Sequence, residues 1–323
     1  MVTDLERNAA LHAVRSAATL CSAAQGRLVA GETLTKGDDS PVTVADFAAQ
    51  AVVVEALTDR LGSIELVGEE DPADLASDDQ ASLRDGVTAL VSTQLGHDVA
   101  AGQVLDWIGV GGSDGRSDRY WTLDPIDGTK GFLRGDQYAI ALALIEDGEV
   151  VLGVLGCPNL PNPDGSTGAV FVASGGEAVA YPAGATDPVR VGVAEPATLA
   201  EARFCESVES GHSSHDDAAE IASRLGIVAE PYRIDSQCKY AAVARGDASI
   251  YLRLPTRPGY REKIWDHAAG KFVVEQAGGV VTDVDGASLD FRHGRRLEEN
   301  RGIVATDGRF HDRVIEVVRD VLA

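Results

Sequence analysis

Two carboxylates bracket a proline in the sequence DPIDGT, residues 124–129. Asp124 and Asp127 follow RYWTL, a run of residues typical of a β-strand. Asp-Pro and Asp-Gly are also ordinary turn formers, so a simple tight turn is the alternative interpretation. Two rigidly spaced carboxylates could instead each bind a different cation, and two cations about 3.5–4 Å apart stabilise the attacking and leaving oxygens of a phosphoryl transfer. The Ile126 carbonyl could add a ligand, and the Thr129 hydroxyl could lie next to an incoming water.

Further acids lie at predicted strand ends and helix starts. They are Asp46 in VTVADF, Glu69 in LVGEED and Asp266 in KIWDHAAG. Each has a structural alternative, because Asp46 and Asp266 could stabilise helix N-termini and Glu69 could be a solvated loop acid. Oxygen ligands from several separate segments are what Mg²⁺ prefers. Together with DPIDGT, these acids predict a magnesium site.

The charge balance of the chain limits its ligands. The 51 acidic and 28 basic residues give a formal charge of −23, which would repel a nucleic-acid backbone and requires local cations for any phosphorylated substrate. Lys239 and Arg253 are suited to hold a second phosphate, although either could be an ordinary surface charge. We therefore expect a small-molecule substrate and no nucleic-acid polymer.

The motifs VADF, GEE, DPIDGTKGF and WDHAAG, in this order, resemble those of the lithium-sensitive, Mg²⁺-dependent phosphatases that include inositol monophosphatase. Within that superfamily the segments SPVTVADFAAQA, SVESGHSSHD, DSQCKYAAVARGDASIYLRLP and EKIWDHAAG are most similar to those of the 3'(2'),5'-bisphosphate nucleotidases. The similarity extends from about Ser40 to Thr306. It implies hydrolysis of the 3'-phosphate of adenosine 3',5'-bisphosphate to AMP and phosphate, with 3'-phosphoadenylyl sulfate as a further candidate substrate. An inositol phosphate or other sugar phosphate is the alternative substrate, and a catalytically silent nucleotide or metal sensor is a second alternative.

The resemblance also implies roles for individual residues. Two or three Mg²⁺ ions are expected, the first held by Glu69, Asp124 and the Ile126 carbonyl, and the second by Asp124, Asp127 and Asp266. Asp46 and Thr129 would relay a proton from the attacking water. The implied substrate contacts are Thr129, His212, Ser236, Lys239, Arg253 and Asp266.

These residues require particular elements to position them. Apolar residues at helical spacing predict helices over 4–25, from Thr43 to a stop at Gly62, and over 82–95. IELVG (64–68) predicts a strand, and hairpins are expected at Asp147-Gly148 and Gly175-Gly176. Beyond these, strands and helices alternate up to a closing helix near 309–322, which indicates a covered, mixed or parallel sheet.

Length and composition limit the class of protein. At 323 residues two lobes are expected, and the resemblance implies a layered αβαβα sugar-phosphatase fold, classed as α/β (α+β), with the metal site in the cleft. We place an α+β lobe at 1–186 and an α/β lobe at 187–323. The four distant cysteines argue against structural zinc and disulfides, and neither an export signal nor a membrane span is evident, so a cytoplasmic protein is expected. The sequence gives no indication of oligomeric state.

Overall fold

Two long helices line one side of the molecule. The computed structural model describes residues 1–26, 33–35, 41–208, 215–257 and 259–323. Helix α1 (Asp4–Gln25) begins with a capping box, in which the Thr3 hydroxyl accepts the backbone N–H of Glu6 and the Glu6 carboxylate accepts that of Thr3. After a short antiparallel pair, β1 (Thr33–Thr35) and β2 (Pro41–Thr43), helix α2 (Val44–Leu61) ends at Gly62, as predicted. Because α2 packs against α1, against the helices over 81–95 and 101–109 and against the strand over 119–127, almost all of its residues up to Leu57 are buried.

The larger sheet has seven strands in sequential order. They are β3 (Leu66–Gly68), β4 (Arg119–Asp127), β5 (Ala139–Glu146), β6 (Glu149–Pro161), β7 (Thr167–Ser174), β8 (Glu177–Pro182) and β9 (Val189–Arg190). Strands β3 and β4 are parallel, and the other neighbours are antiparallel. The two predicted hairpins are confirmed, and Asp147 and Gly148 both have positive φ, as a tight two-residue hairpin turn requires.

The smaller sheet has five strands in the order β11-β10-β12-β14-β13. They are β10 (Phe204–Glu206), β11 (Tyr232–Arg233), β12 (Ile250–Arg253), β13 (Val280–Thr282) and β14 (Ile303–Thr306). Strand β10 is parallel to β11 and β12, whereas β14 is antiparallel to β12 and β13. The predicted mixed sheet is therefore confirmed.

The remaining helices connect and cover the sheets. They are α3 (Ala73–Ala76), α4 (Ala81–Leu95), α5 (Ala101–Gly109), α6 (Thr129–Arg134), α7 (His215–Leu225), α8 (Cys238–Arg245), α9 (Ala268–Gln276) and α10 (His311–Leu322). Helix α5 was not predicted from the sequence, and the predicted strand over 64–68 is limited to Leu66–Gly68.

The elements form five layers, because each sheet is covered on both faces. On β5, Ile140, Leu142 and Leu144 pack toward α1 and α2, whereas the alternating alanines of the same strand pack toward α8 and α9. Small side chains on that face let the helices approach closely. A Cβ built on Gly153 of β6 would lie 2.9 Å from the Ala269 carbonyl oxygen. The smaller sheet packs against the other side of α8 and α9, and α7 and α10 cover its outer face. This is the expected αβαβα arrangement.

The structure also bears on the predictions about the cysteines, the membrane and the lobes. All four cysteines are buried free thiols. Among the helices that the structure describes, none combines the length and apolar character needed to cross a membrane. Strands β8 and β9 lie on either side of the predicted lobe boundary at 186/187 and pair with each other. The division into lobes stays a prediction.

Candidate metal and phosphate site

A bulge in β4 turns the two aspartates of DPIDGT toward the same side. Asp124 pairs with Ala141 and Asp127 with Ala139, so three steps along β4 correspond to two along β5. In a regular strand, residues three apart point to opposite faces, whereas the extra residue of a bulge restores the same face. Pro125, which cannot donate a ladder hydrogen bond, lies within the bulge.

The parallel pairing of β3 with β4 brings a third acid to this position. The carboxyl ends of parallel strands meet at the same edge, and Gly68 lies opposite Leu123 in the register. The backbone N–H of Glu69 donates to the Leu123 carbonyl at 3.2 Å, which places Glu69 beside the start of the bulge. The next residue, Glu70, is fixed through its backbone by the side chain of Gln50, which both donates to and accepts from it.

The remaining acids come from helix starts. Asp46 lies in the first turn of α2 and is 2% exposed, and Asp266 ends the 3₁₀ helix Ile264–Asp266, two residues before the start of α9. All the predicted site residues that the structure describes line a single cavity of about 470 Å³: Asp46, Glu69, Asp124, Ile126, Asp127, Thr129, Ser236, Lys239, Arg253 and Asp266. His212 lies outside the described residues.

The acids of this cavity repel one another. Burial raises the pKa of Asp124 well above its usual range, and the charges of Glu69, Asp127 and Asp266 raise it further. Burial likewise raises the pKa of Asp266 far above its usual range. It raises that of Asp127 to about 6, although Lys239 counteracts part of the shift. Such a set of carboxylates is stable in its charged form only with added positive charge.

A hard divalent cation fits this donor set. Among the described residues, Oδ1 of Asp124 is buried and has no hydrogen-bond partner, which is unusual for a carboxylate oxygen. The Thr129 hydroxyl donates to the Ile126 carbonyl at 3.3 Å, so that carbonyl faces the same polar region. Buried carboxylates and a carbonyl, mutually repelling and incompletely hydrogen-bonded, are suitable ligands for Mg²⁺.

Basic side chains line another part of the cavity. Lys239, in the first turn of α8, is 5% exposed, and its Nζ lies 5.3 Å from the centre of the Tyr251 ring. Burial lowers the pKa of Lys239, while the neighbouring Asp127 opposes this shift. Arg253 ends β12, and its Nε donates to Oε2 of Glu262 at 2.9 Å. The cavity thus has basic side chains next to the acidic cluster, as an anionic substrate requires in a chain of this net charge.

A tight loop before α8 connects the acidic cluster with the basic side chains. Ser236 has a φ of 63°, and a Cβ on Gly128, whose φ is 88°, would lie 2.8 Å from the Ser236 Cβ. Only glycine suits position 128, because other residues rarely adopt this φ and would clash. Arg134 of α6 forms an ion pair with Asp235, which also fixes the loop against the DPIDGT segment.

Sequence reasoning missed several polar residues of this region. Gln237 is buried and links Asp127 to the segment around Asp266; Glu262 and His267 are buried beside Arg253. Arg295 reaches from the C-terminal part of the chain to the Gly68 carbonyl, directly before Glu69. For Gln237, Glu262 and His267 the only signal was their location within the motifs DSQCKY and EKIWDHAAG, whereas Arg295 lies outside every motif identified from the sequence.

Comparisons with known proteins identify the chain's relatives. A family model described as "Inositol monophosphatase family" matches residues 3–323. The chain belongs to the inositol monophosphatase family. Solved structures share the fold. The Thermotoga maritima IMPase superposes with a TM-score of 0.64 at 24% identity, covering 96% of this chain and 95% of its own. The extragenic suppressor protein SuhB of Bartonella henselae gives 0.66 at 20% identity, covering 97% of each chain.

Curated relatives within the family are more similar in sequence. A protein of Schizosaccharomyces pombe named 3'(2'),5'-bisphosphate nucleotidase is 43% identical, over 99% of this chain and 97% of its own. The 3'(2'),5'-bisphosphate nucleotidase 1 of Arabidopsis thaliana is 44% identical, over 100% of this chain and 98% of its own. The resemblance inferred from the motifs is thereby confirmed.

Proposed function

We propose that this chain is a Mg²⁺-dependent 3'(2'),5'-bisphosphate nucleotidase that converts adenosine 3',5'-bisphosphate and water to AMP and phosphate. The observation that carries the proposal is that Lys239 and Arg253 line the same cavity as the acidic cluster. A substrate with two phosphates can place the scissile one at the acids, through cations, and the other at the basic side chains. The names of the curated relatives support this substrate class.

Each part of the site has a proposed role. Glu69, Asp124 and the Ile126 carbonyl would hold one Mg²⁺, and Asp124, Asp127 and Asp266 a second; the number of ions is two or three. When bound, the ions acidify the attacking water and neutralise charge on the phosphoryl oxygens. The Thr129 hydroxyl would accept a hydrogen bond from that water, and Asp46 would take up the proton that the water loses.

The reaction requires no covalent enzyme intermediate. The water oxygen forms a bond to phosphorus as the bond to the 3'-oxygen breaks, and the leaving oxygen gains one proton, which balances the proton that the water gives up to Asp46, to give AMP. Ser236, in its strained loop, and His212, outside the described residues, complete the proposed substrate contacts. 3'-Phosphoadenylyl sulfate, which also has a 3'-phosphate, is a further candidate substrate.

A substrate panel tests the proposal. Phosphate release from adenosine 3',5'-bisphosphate and from inositol 1-phosphate is measured side by side, with Mg²⁺ and with a chelator. We expect Mg²⁺-dependent release and a higher kcat/KM for the bisphosphate, and inhibition by Li⁺ but not by the same concentration of K⁺. A preference for inositol 1-phosphate would contradict the substrate assignment, and no Mg²⁺-dependent release from either would contradict the enzyme itself. The expected cytoplasmic location is part of the same proposal, and cell fractionation tests it.

A further inference from the structure

The orientation of Arg253 is fixed by a buried carboxylate. Glu262 is 6% exposed and lies nine residues after Arg253, whose Nε donates to its Oε2. The intervening segment contributes Thr256, Arg257 and Tyr260 to the cavity lining, so the ion pair also closes this part of the wall. A guanidinium held at Nε is restricted in rotation, which determines where its remaining N–H groups point.

Glu262 is itself held from the protein interior. Nε2 of His267 lies 3.3 Å from the same Oε2 that accepts from Arg253, and Nδ1 of His267 lies 2.8 Å from the Tyr240 hydroxyl. Burial raises the pKa of Glu262, but the charge of Arg253 and the hydrogen bond from His267 outweigh this and lower it to about 2, so the carboxylate is ionised. An ionised carboxylate only accepts hydrogen bonds. His267 therefore donates through Nε2, and its Nδ1 accepts from Tyr240.

We propose that Glu262 is a positioning residue that orients Arg253 toward the second phosphate of the substrate and so determines the preference for a bisphosphate over a monophosphate. His267 and Tyr240 hold Glu262 in place behind it. This inference rests on the proposed function. Glu262 acts through Arg253 and not on the reacting atoms.

A competing role follows from the same geometry. Glu262, Asp266 and His267 each have an oxygen or nitrogen atom that could bind a metal ion, and these three atoms lie within 4.8 Å of one another. Glu262 could therefore instead act on the cations through Asp266. A cation role would affect the hydrolysis of every substrate equally, because each needs the metal site. A role through Arg253 would affect only substrates with a second phosphate.

The test compares two substrates. Adenosine 3',5'-bisphosphate and adenosine 3'-monophosphate are assayed with Mg²⁺ using the wild-type chain, Glu262→Ala and Glu262→Gln. We expect Glu262→Ala to lower kcat/KM for the bisphosphate about 10- to 100-fold, mainly through KM, and to change that for the monophosphate less than about threefold. Glu262→Gln retains an acceptor for the Arg253 Nε and should recover part of the loss.

A double-variant cycle shows whether Glu262 acts through Arg253. In an Arg253→Ala background, Glu262→Ala should cause little further loss with the bisphosphate, because the group that it positions is gone. Additive losses would overturn the proposal. So would equal losses with both substrates, or tighter bisphosphate binding by Glu262→Ala, which is expected if Glu262 only neutralises the charge of Arg253.

Two controls separate folding and the proposed function from this role. Glu275→Gln removes the carboxylate from another ion pair, with Lys271 on α9, and should leave both activities unchanged. Thermal unfolding of each variant checks the fold, and Glu262→Gln provides the test if Glu262→Ala does not fold. Wild-type chain that does not hydrolyse the bisphosphate would defeat the proposed function itself. If the wild-type chain prefers the bisphosphate and both Glu262→Gln and Glu262→Ala keep that preference, only the role of Glu262 is defeated.

Discussion

Gln237 donates its backbone N–H to Oδ2 of Asp127, although the two residues are 110 positions apart. Its side-chain amide donates to the Trp265 carbonyl at 2.9 Å and accepts from the Gly270 N–H at 3.3 Å. One buried residue thus connects Asp127, at the end of β4, with the segment that carries Asp266. The distance between these two acids depends on this connection.

Replacing Gln237 with Leu should therefore weaken both stability and cation binding. The Trp265 carbonyl and Gly270 N–H would lose their partner, which should lower the free energy of unfolding by about 2–3 kcal/mol. We also expect a severalfold higher Kd for Mg²⁺ by calorimetric titration. The control is Gln103→Leu, the same change at an exposed position on α5. Equal effects of the two replacements would contradict the role of Gln237.

Replacing Asp124 with Asn should remove the response to magnesium. Asp124 is the proposed ligand of both ions, and its neutral amide would also relieve repulsion from the neighbouring acids. At one hundred times its Kd, Mg²⁺ should stabilise the wild-type chain by about 2.7 kcal/mol. Asp124→Asn should show little of this stabilisation and at least about a 100-fold loss of phosphate release. Asp118→Asn, at an exposed acid just before β4, should behave as wild type. An unchanged Mg²⁺ response in Asp124→Asn would exclude the assignment.

The metal-free chain should lose stability as the pH rises. The pKa of Asp127 is about 6 in the folded state, compared with an ordinary value of 3.8, chiefly because burial disfavours its charge. Protonation therefore favours the folded state. This contribution is fully present below about pH 4, is lost as the pH rises through about 6, and amounts to at most about 3 kcal/mol.

Asp127→Asn isolates this effect. In a chelator, the free energy of unfolding of the wild-type chain should fall relative to that of the variant between pH 4 and 7, as measured by urea denaturation. Saturating Mg²⁺ should abolish most of the decline by neutralising the carboxylate. A difference that stays constant with pH would show that Asp127 does not titrate as expected.

Replacing Gly128 with Ala should disrupt the site more than its backbone angle alone predicts. Gly128 and Gly135 precede and follow α6 with φ of 88° and 78°. A Cβ at 128 would meet Ser236, whereas nothing lies within 4 Å of a Cβ at 135. Gly135→Ala should cost about 1 kcal/mol of stability, and Gly128→Ala a further 1–3 kcal/mol or so. Only the change at 128 should abolish phosphate release. Equal losses of stability and activity would show that the approach to Ser236 is unimportant.

The sequence predicts the acidic cluster well because its members lie at the ends of regular elements. Glu69 directly follows β3 and Asp124 lies at the bulge near the end of β4, and the carboxyl ends of these two parallel strands meet at one edge. The hairpins are equally local, since two residues with positive φ determine each turn. Helix α5 is harder to predict, because only Val104 and Ile108 of its nine residues are buried.

Gln237 and Glu262 could not be predicted in the same way. A buried polar residue has the same letter in the sequence as a solvated one, and its burial depends on partners brought in by the fold. For Gln237 these partners are on β4 and at the start of α9; for Glu262 they are on β12 and beside Asp266. The bulge that aligns Asp124 with Asp127 is likewise visible only in the pairing with β5.

Helices α8 and α9 are covered by a sheet on either side, and this has a consequence for how the polypeptide is divided. If the chain were cut between residues 186 and 187, the first fragment would lose the helices that cover one face of its sheet. The second fragment would keep both helices with their outer apolar surface bare. Neither piece has a complete interior, so the two parts of the protein should unfold together in a single cooperative transition.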